Sequence, residues 1–99
     1  MRVKQFIGPF SAGTQLNVGS SLSGATFVKI GIEHPRTPPY EEILNKNPVG
    51  YDIILKINGS QYAITERDIL EFDNLSTANM IIDIVDVNNP YLLINIGYN

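Results

Sequence analysis

The sequence predicts an all-β domain, an immunoglobulin-like sandwich of about six to eight short antiparallel strands. Three observations predict it. Val, Ile, Thr, Phe and Tyr supply 34 of the 99 residues, 14 of them Ile, and these side chains suit a pleated, half-buried surface. Short apolar runs recur at roughly 8–14-residue spacing with no long helical period between them. Between two of those runs stands Asn58-Gly59, the strongest two-residue hairpin signal, because both turn positions need positive φ. A jelly roll or a small β-barrel is the competing architecture. A chain of this length forms one domain, 1–99, and buries a core without disulfide or metal staples.

Arg2–Ile7 reads as the first strand, stopped by Gly8-Pro9. Residues Gly8–Gly24 are rich in Gly and Ser, which suit loops rather than cores. This stretch is expected to be an N-terminal arm or long loop with a short strand near Thr14–Val18. Ala25–Glu33 reads as a strand with Val28, Ile30 and Ile32 on one face, ended by His34-Pro35. The segment Pro35–Gly50 carries Pro35, Pro38, Pro39 and Pro48, too many for a central strand. Within it, Thr37 as a cap, prolines in the first turn, and Glu41 and Glu42 at the positive end predict one or two helical turns at about Pro39–Asn45.

Across Asn58-Gly59 the pairing sets Ile57 opposite Ser60, Leu55 opposite Tyr62 and Ile53 opposite Ile64. The turn and the apolar pattern demand the same register independently. Thr65-Glu66-Arg67-Asp68 resembles a capping box, but the next apolar run is so short that a turn followed by a strand is expected. Asn79–Val87 and Tyr91–Tyr98 flank the turn Asn88-Asn89-Pro90 and read as a second hairpin. Leu92, Ile94, Ile96 and Tyr98 share one face of its last strand.

Composition excludes several functions. Seven basic residues against ten acidic give a net charge of -3 and a pI near 4.9. Nucleic acid needs clustered cations, and an anionic membrane surface attracts them too, so neither is an expected partner. No apolar run approaches the ~20 residues of a membrane helix. The N-terminus has no apolar stretch of signal-peptide length. There is no Cys, hence no thiol chemistry or disulfide framework.

Motifs for chemistry do not assemble. Gly8–Thr14 and Gly19–Ala25 have the glycine spacing of a phosphate loop but lack the Lys that follows in one. His34 is the only imidazole, and no triad or zinc set surrounds it; before Pro35 it is expected at the surface. Glu41/Glu42, Glu66/Asp68/Glu71/Asp73 and Asp83/Asp86 read as solvated strand faces and turns. Asp83, Asp86 and Asn88 could offer oxygens to calcium, but not at EF-hand spacing. No catalytic residue, cofactor or metal is assigned. Loop aromatics are common interface anchors, or else fold back over the core. The candidate interface residues are Phe6, Phe10, Leu16, Tyr40, Ile43 and Leu44.

In architecture, composition and lack of chemistry the chain is similar to the small all-β proteins that viruses, bacteriophages especially, carry on their particles. These include capsid auxiliary or decoration proteins and adaptor or fibre-base proteins. The resemblance implies a non-enzymatic virion subunit, assembled in the host cytoplasm, whose partners are the major capsid or neighbouring structural proteins, or further copies of itself. The arm, the Pro-rich segment and open sheet edges would make the contacts. The alternative is an Ig-like carbohydrate- or peptide-binding module, against which the absence of Trp counts.

Overall fold

The computed structural model describes residues 1–22, 24–34, 50–73, 77, 79–88 and 91–99. Eight strands form among them: β1 Arg2–Ile7, β2 Gln15–Asn17, β3 Val28–Glu33, β4 Ile53–Ile57, β5 Ser60–Ile64, β6 Ile69–Phe72, β7 Ile81–Val87 and β8 Leu93–Tyr98. They divide into two four-stranded antiparallel sheets. The first has the order β1-β8-β3-β6 and the second β2-β7-β4-β5. The short helix expected at Pro39–Asn45 lies outside the described residues.

The pairing is nested. β4 pairs with β5, β3 with β6, β2 with β7 and β1 with β8. One long folded hairpin, wrapped so that successive pairs alternate between sheets, generates this order. It is the order of an eight-stranded jelly roll. An immunoglobulin sandwich keeps its first two strands in one sheet, whereas β1 and β2 here lie in different sheets. The competing architecture is therefore the one realised.

Alternation explains which side chains go inside. Val28, Ile30 and Ile32 of β3 and Ile94 and Ile96 of β8 turn inward from the first sheet. Ile53, Leu55, Ile57, Ile64, Ile82 and Ile84 turn inward from the second, and all join one buried cluster. The β4–β5 register is the one read from sequence: Ile57↔Ser60, Leu55↔Tyr62, Ile53↔Ile64. Its turn has Asn58 at φ 50° and Gly59 at φ 85°, the left-handed pair such a two-residue loop requires. In β7, Leu55 faces Ile84 while Ile54 faces Asp86, so Val85 is the extra residue of a β-bulge.

One expectation fails: the hairpin between Asn79–Val87 and Tyr91–Tyr98, since β7 and β8 sit in opposite sheets. Asn88 instead pins the crossing chain to the start of β4, donating its backbone N–H to Asp52 O at 2.9 Å. Residues 8–22 carry the short strand β2, and Phe10, Val18 and Leu22 within them, with Ala25 just beyond, are core residues. The backbone there is stitched to β7 by Gly13 N–H to Ile84 O and Ile84 N–H to Thr14 O, and to the residue before β7 by Val18 N–H to Met80 O. Those four side chains give the Gly/Ser-rich stretch enough apolar area to be held against the sandwich.

Candidate functional site

The residues expected at an interface turn inward where they are described. Phe10 is buried, and Phe6 and Leu16 are half-buried and packed against the core. Tyr40, Ile43 and Leu44 lie outside the described residues. The most exposed large apolar side chains on the strands are different ones. Ile7 is 72% exposed, Val3 65% and Ile69 65%. All three belong to one surface, the outer face of the first sheet.

Cross-strand register lays this face out in three rows. The middle row is Gln5, Asn95, Gly31 and Ile69. On one side of it stand Ile7, Leu93 and Glu33. On the other stand Val3, Gly97, Lys29 and Glu71. A polar ladder crosses the face: Gln5 Nε2 donates to Asn95 Oδ1 at 2.8 Å, and Asn95 Nδ2 donates to Glu33 Oε1 at 2.6 Å. Lys29 Nζ lies 3.4 Å from Glu71 Oε1. The ladder fixes the amide planes, which leaves the apolar side chains as the part of the face still in water.

Two glycines shape the surface. A Cβ on Gly97 would come within 2.8 Å of Met1 Sδ, so the Met1 side chain fills the space above that glycine. A Cβ on Gly31 would meet only the Asp68 carbonyl, at 3.9 Å. The monomer leaves room for a side chain at position 31, and its absence makes a notch in the middle of the face.

The inner side of β1 carries a different device. Arg2 and Lys4 project on the same side as Phe6, with the Arg2 guanidinium 4.7 Å from the Tyr98 ring centre and the Lys4 ammonium 5.7 Å from that of Phe6. Inward charges on an edge strand discourage edge-to-edge pairing with another chain. The face, rather than this edge, is left available.

Among the described residues no three His, Cys, Asp or Glu side chains gather at metal-binding distance. Asp83 sits apart from Asp86 and Asn88, which both hydrogen-bond Tyr51. Asp83 faces Lys56 and Gln15 on the outside of the second sheet. Asp86 Oδ2 accepts a 2.5 Å hydrogen bond from the Tyr51 hydroxyl, and Asn88 Nδ2 donates to Tyr51 O at 3.3 Å. The bond to Asp86 holds the Tyr51 phenol above its ordinary pKa, with lesser contributions from partial burial and the carboxylate charge. Thr65 and Asp68 form a reciprocal turn: Asp68 Oδ2 accepts from the Thr65 N–H, and Thr65 Oγ1 accepts from the Arg67 N–H. β6 follows directly, the turn-plus-strand expected.

His34 is not at the surface. It is 7% exposed, and its Nε2 lies 3.1 Å from Asp52 Oδ2, itself on a buried residue. The carboxylate explains why an imidazole is tolerated there. No short-range signal revealed this pair, because its members are brought together only by the positions of β3 and β4. The exposed apolar face did have a signal. β1 has apolar residues at both parities, Phe6 on one side and Val3 and Ile7 on the other.

Comparison with protein-family models, with characterised proteins and with solved structures found no match to this chain.

Proposed function

We propose that this chain is a non-enzymatic structural subunit of a large assembly, a bacteriophage virion protein of the capsid auxiliary or decoration kind, located on the particle. The outer face of the first sheet is its docking surface. One observation carries the reading: Val3, Ile7 and Ile69 expose most of their apolar area on a single sheet face. Antiparallel sheets that face water ordinarily alternate apolar inside with polar outside, and three large, mostly exposed apolar side chains on one outer face depart from that pattern. The jelly-roll order accords with this, since viral capsid domains use it. Lectins and cupins use it too, so the face carries the argument and the fold does not.

Sedimentation of native lysate, with the chain followed by mass spectrometry, tests the proposal. A structural subunit travels with a particle far larger than itself. A chain that stays at the top of the gradient as a small species refutes the assembly role.

A further inference from the structure

We propose that the partner on the outer face of the first sheet is a second copy of this chain, stacked face to face about a two-fold axis running along the Gln5–Asn95–Gly31–Ile69 row. The inference rests on reading that face as a docking surface, and it names the occupant.

The argument is self-complementarity. A two-fold interface must match itself, with residue i meeting j and j meeting i. An axis along the middle row keeps each strand over its own counterpart and reverses its direction. Val3 of one copy then meets Ile7 of the other, and Ile7 meets Val3. Leu93 meets the Gly97 position, where the Met1 side chain lies. Ile69 meets Ile69. Gly31 meets Gly31, so the two notches let the sheets approach at the middle of the contact. Lys29, already 3.4 Å from Glu71, meets Glu33 of the second copy, and Glu33 meets Lys29. Like therefore meets like among the apolar groups, and opposite charges meet.

The other in-plane axis fails this test. An axis parallel to the strands superposes β1 on β6 and β8 on β3. Val3 would then cover Glu71, Leu93 would cover Glu33 and Ile69 would cover Gln5. Each apolar side chain would desolvate a charged or amide group without pairing it, which is costly. The first arrangement also stacks two twisted sheets in near alignment at about 10 Å, the ordinary geometry of packed sheets.

The size of the face sets the strength. Four strands about 4.8 Å apart and five residues at about 3.3 Å each give a footprint smaller than the ~800 Å² per partner of a standard interface. The dimer is therefore weak for free chains and strengthened when copies are held near each other, as in an assembly.

Sedimentation equilibrium of the full chain from roughly 10 μM to 1 mM reads the association. Two single variants, Lys29→Glu and Glu33→Lys, probe the axis. Alone, each places like charges opposite each other at both symmetric contacts, and its self-association is expected to fall at least tenfold. Mixed one to one, the variants pair Glu with Lys at both contacts, and the dimer is expected to return. Thermal melts of each variant check that the fold is kept.

A wild-type chain that stays monomeric through the whole range overturns the proposal. So does association that both single variants retain, or that the mixture fails to restore. A chain that never dimerises yet travels with a particle refutes the second copy and leaves the face to another subunit. A chain that dimerises yet stays at the top of the lysate gradient keeps the dimer and refutes the assembly role.

Discussion

The two outer faces of the sandwich are built on the same alternation but are finished differently. Across the second sheet the outward residues include Gln15, Asn17, Asp83, Lys56 and Gln61, and its large apolar exceptions are half-buried Ile54 and, at 43% and 36% exposure, Ile81 and Val85. Across the first sheet the outward residues include Val3, Ile7, Leu93 and Ile69, with glycine at positions 31 and 97. Both sheets bury their inner faces in one core, so folding alone does not account for the difference. A sheet surface made for water needs polar side chains at its centre. The second sheet has the Lys56–Asp83 pair there; the first has the Gly31 notch, bordered by Asn95, Lys29, Glu33 and Ile69, with Val3 and Ile7 exposed on the edge strand beyond.

That contrast can be broken in several ways, from large effects to small. If the exposed apolar groups were a displaced part of the core, replacing them would cost what core residues cost. Phe10→Ala sets that scale. A buried ring in this cluster is worth about 3–5 kcal/mol, read as a lowered denaturant midpoint. A second reference lies between the sheets. Asp52→Ala removes the buried carboxylate that lies 3.1 Å from the His34 imidazole and is expected to cost about 1–3 kcal/mol. Replacing both members by Leu is expected to cost less than that single change.

On the first-sheet face the expectations change sign or shrink. Gly31→Ala fills a space the monomer leaves open and relieves a glycine inside a strand. It is expected to raise stability by about 0.5–1 kcal/mol while weakening face-to-face association. A Gly31→Ala chain that melts lower would show that the notch serves the monomer's own packing. Ile7→Lys and Ile81→Lys, one on each outer face, are both expected to leave stability within about 0.5 kcal/mol of wild type. Only Ile7→Lys is expected to change the sedimentation profile. Equal effects of the two on association would erase the distinction between the faces.

The smallest effect is on the second-sheet side. Tyr51 donates to Asp86, and its phenol is held above the ordinary value. The protonated form is favoured in the fold, so the contribution is present below the unfolded pKa and lost as pH rises through the folded one. Ultraviolet titration is expected to show a late-ionising component that disappears in Tyr51→Phe. Its persistence in that variant would assign the late phenol elsewhere.

What could be read from the sequence follows the range of the interactions. The β4–β5 hairpin is local. Asn58-Gly59 fixes the turn, and the spacing of Ile53, Leu55, Ile57 and Ile64 fixes the same register. The inner faces of β3 and β8 were equally legible, because period two tells which side is buried. Period two does not tell which strand lies alongside. Ile82 and Ile84 bury just as well with β8 in the opposite sheet, and a hairpin was the shorter inference. In the Gly/Ser-rich stretch, Phe10, Val18 and Leu22 are spaced too irregularly for their burial to be read from the sequence. The His34–Asp52 pair depends on two strands meeting and leaves no local trace. The exposed apolar residues of the first sheet were half visible. Val3 and Ile7 lay on the outward parity of β1, but their joining with Ile69 and Gly31 needed β8 and β3 in between.

The central claim is that the first-sheet face is covered by a partner and the second-sheet face is not. Backbone amide spectra of the full chain, recorded through a dilution series, test it directly. The expected result is concentration-dependent shifts at Val3, Gln5, Gly31, Ile69 and Asn95, with Gln15, Lys56, Gln61 and Asp83 unchanged. Shifts confined to the second group, or spectra that do not move at any concentration, would contradict it.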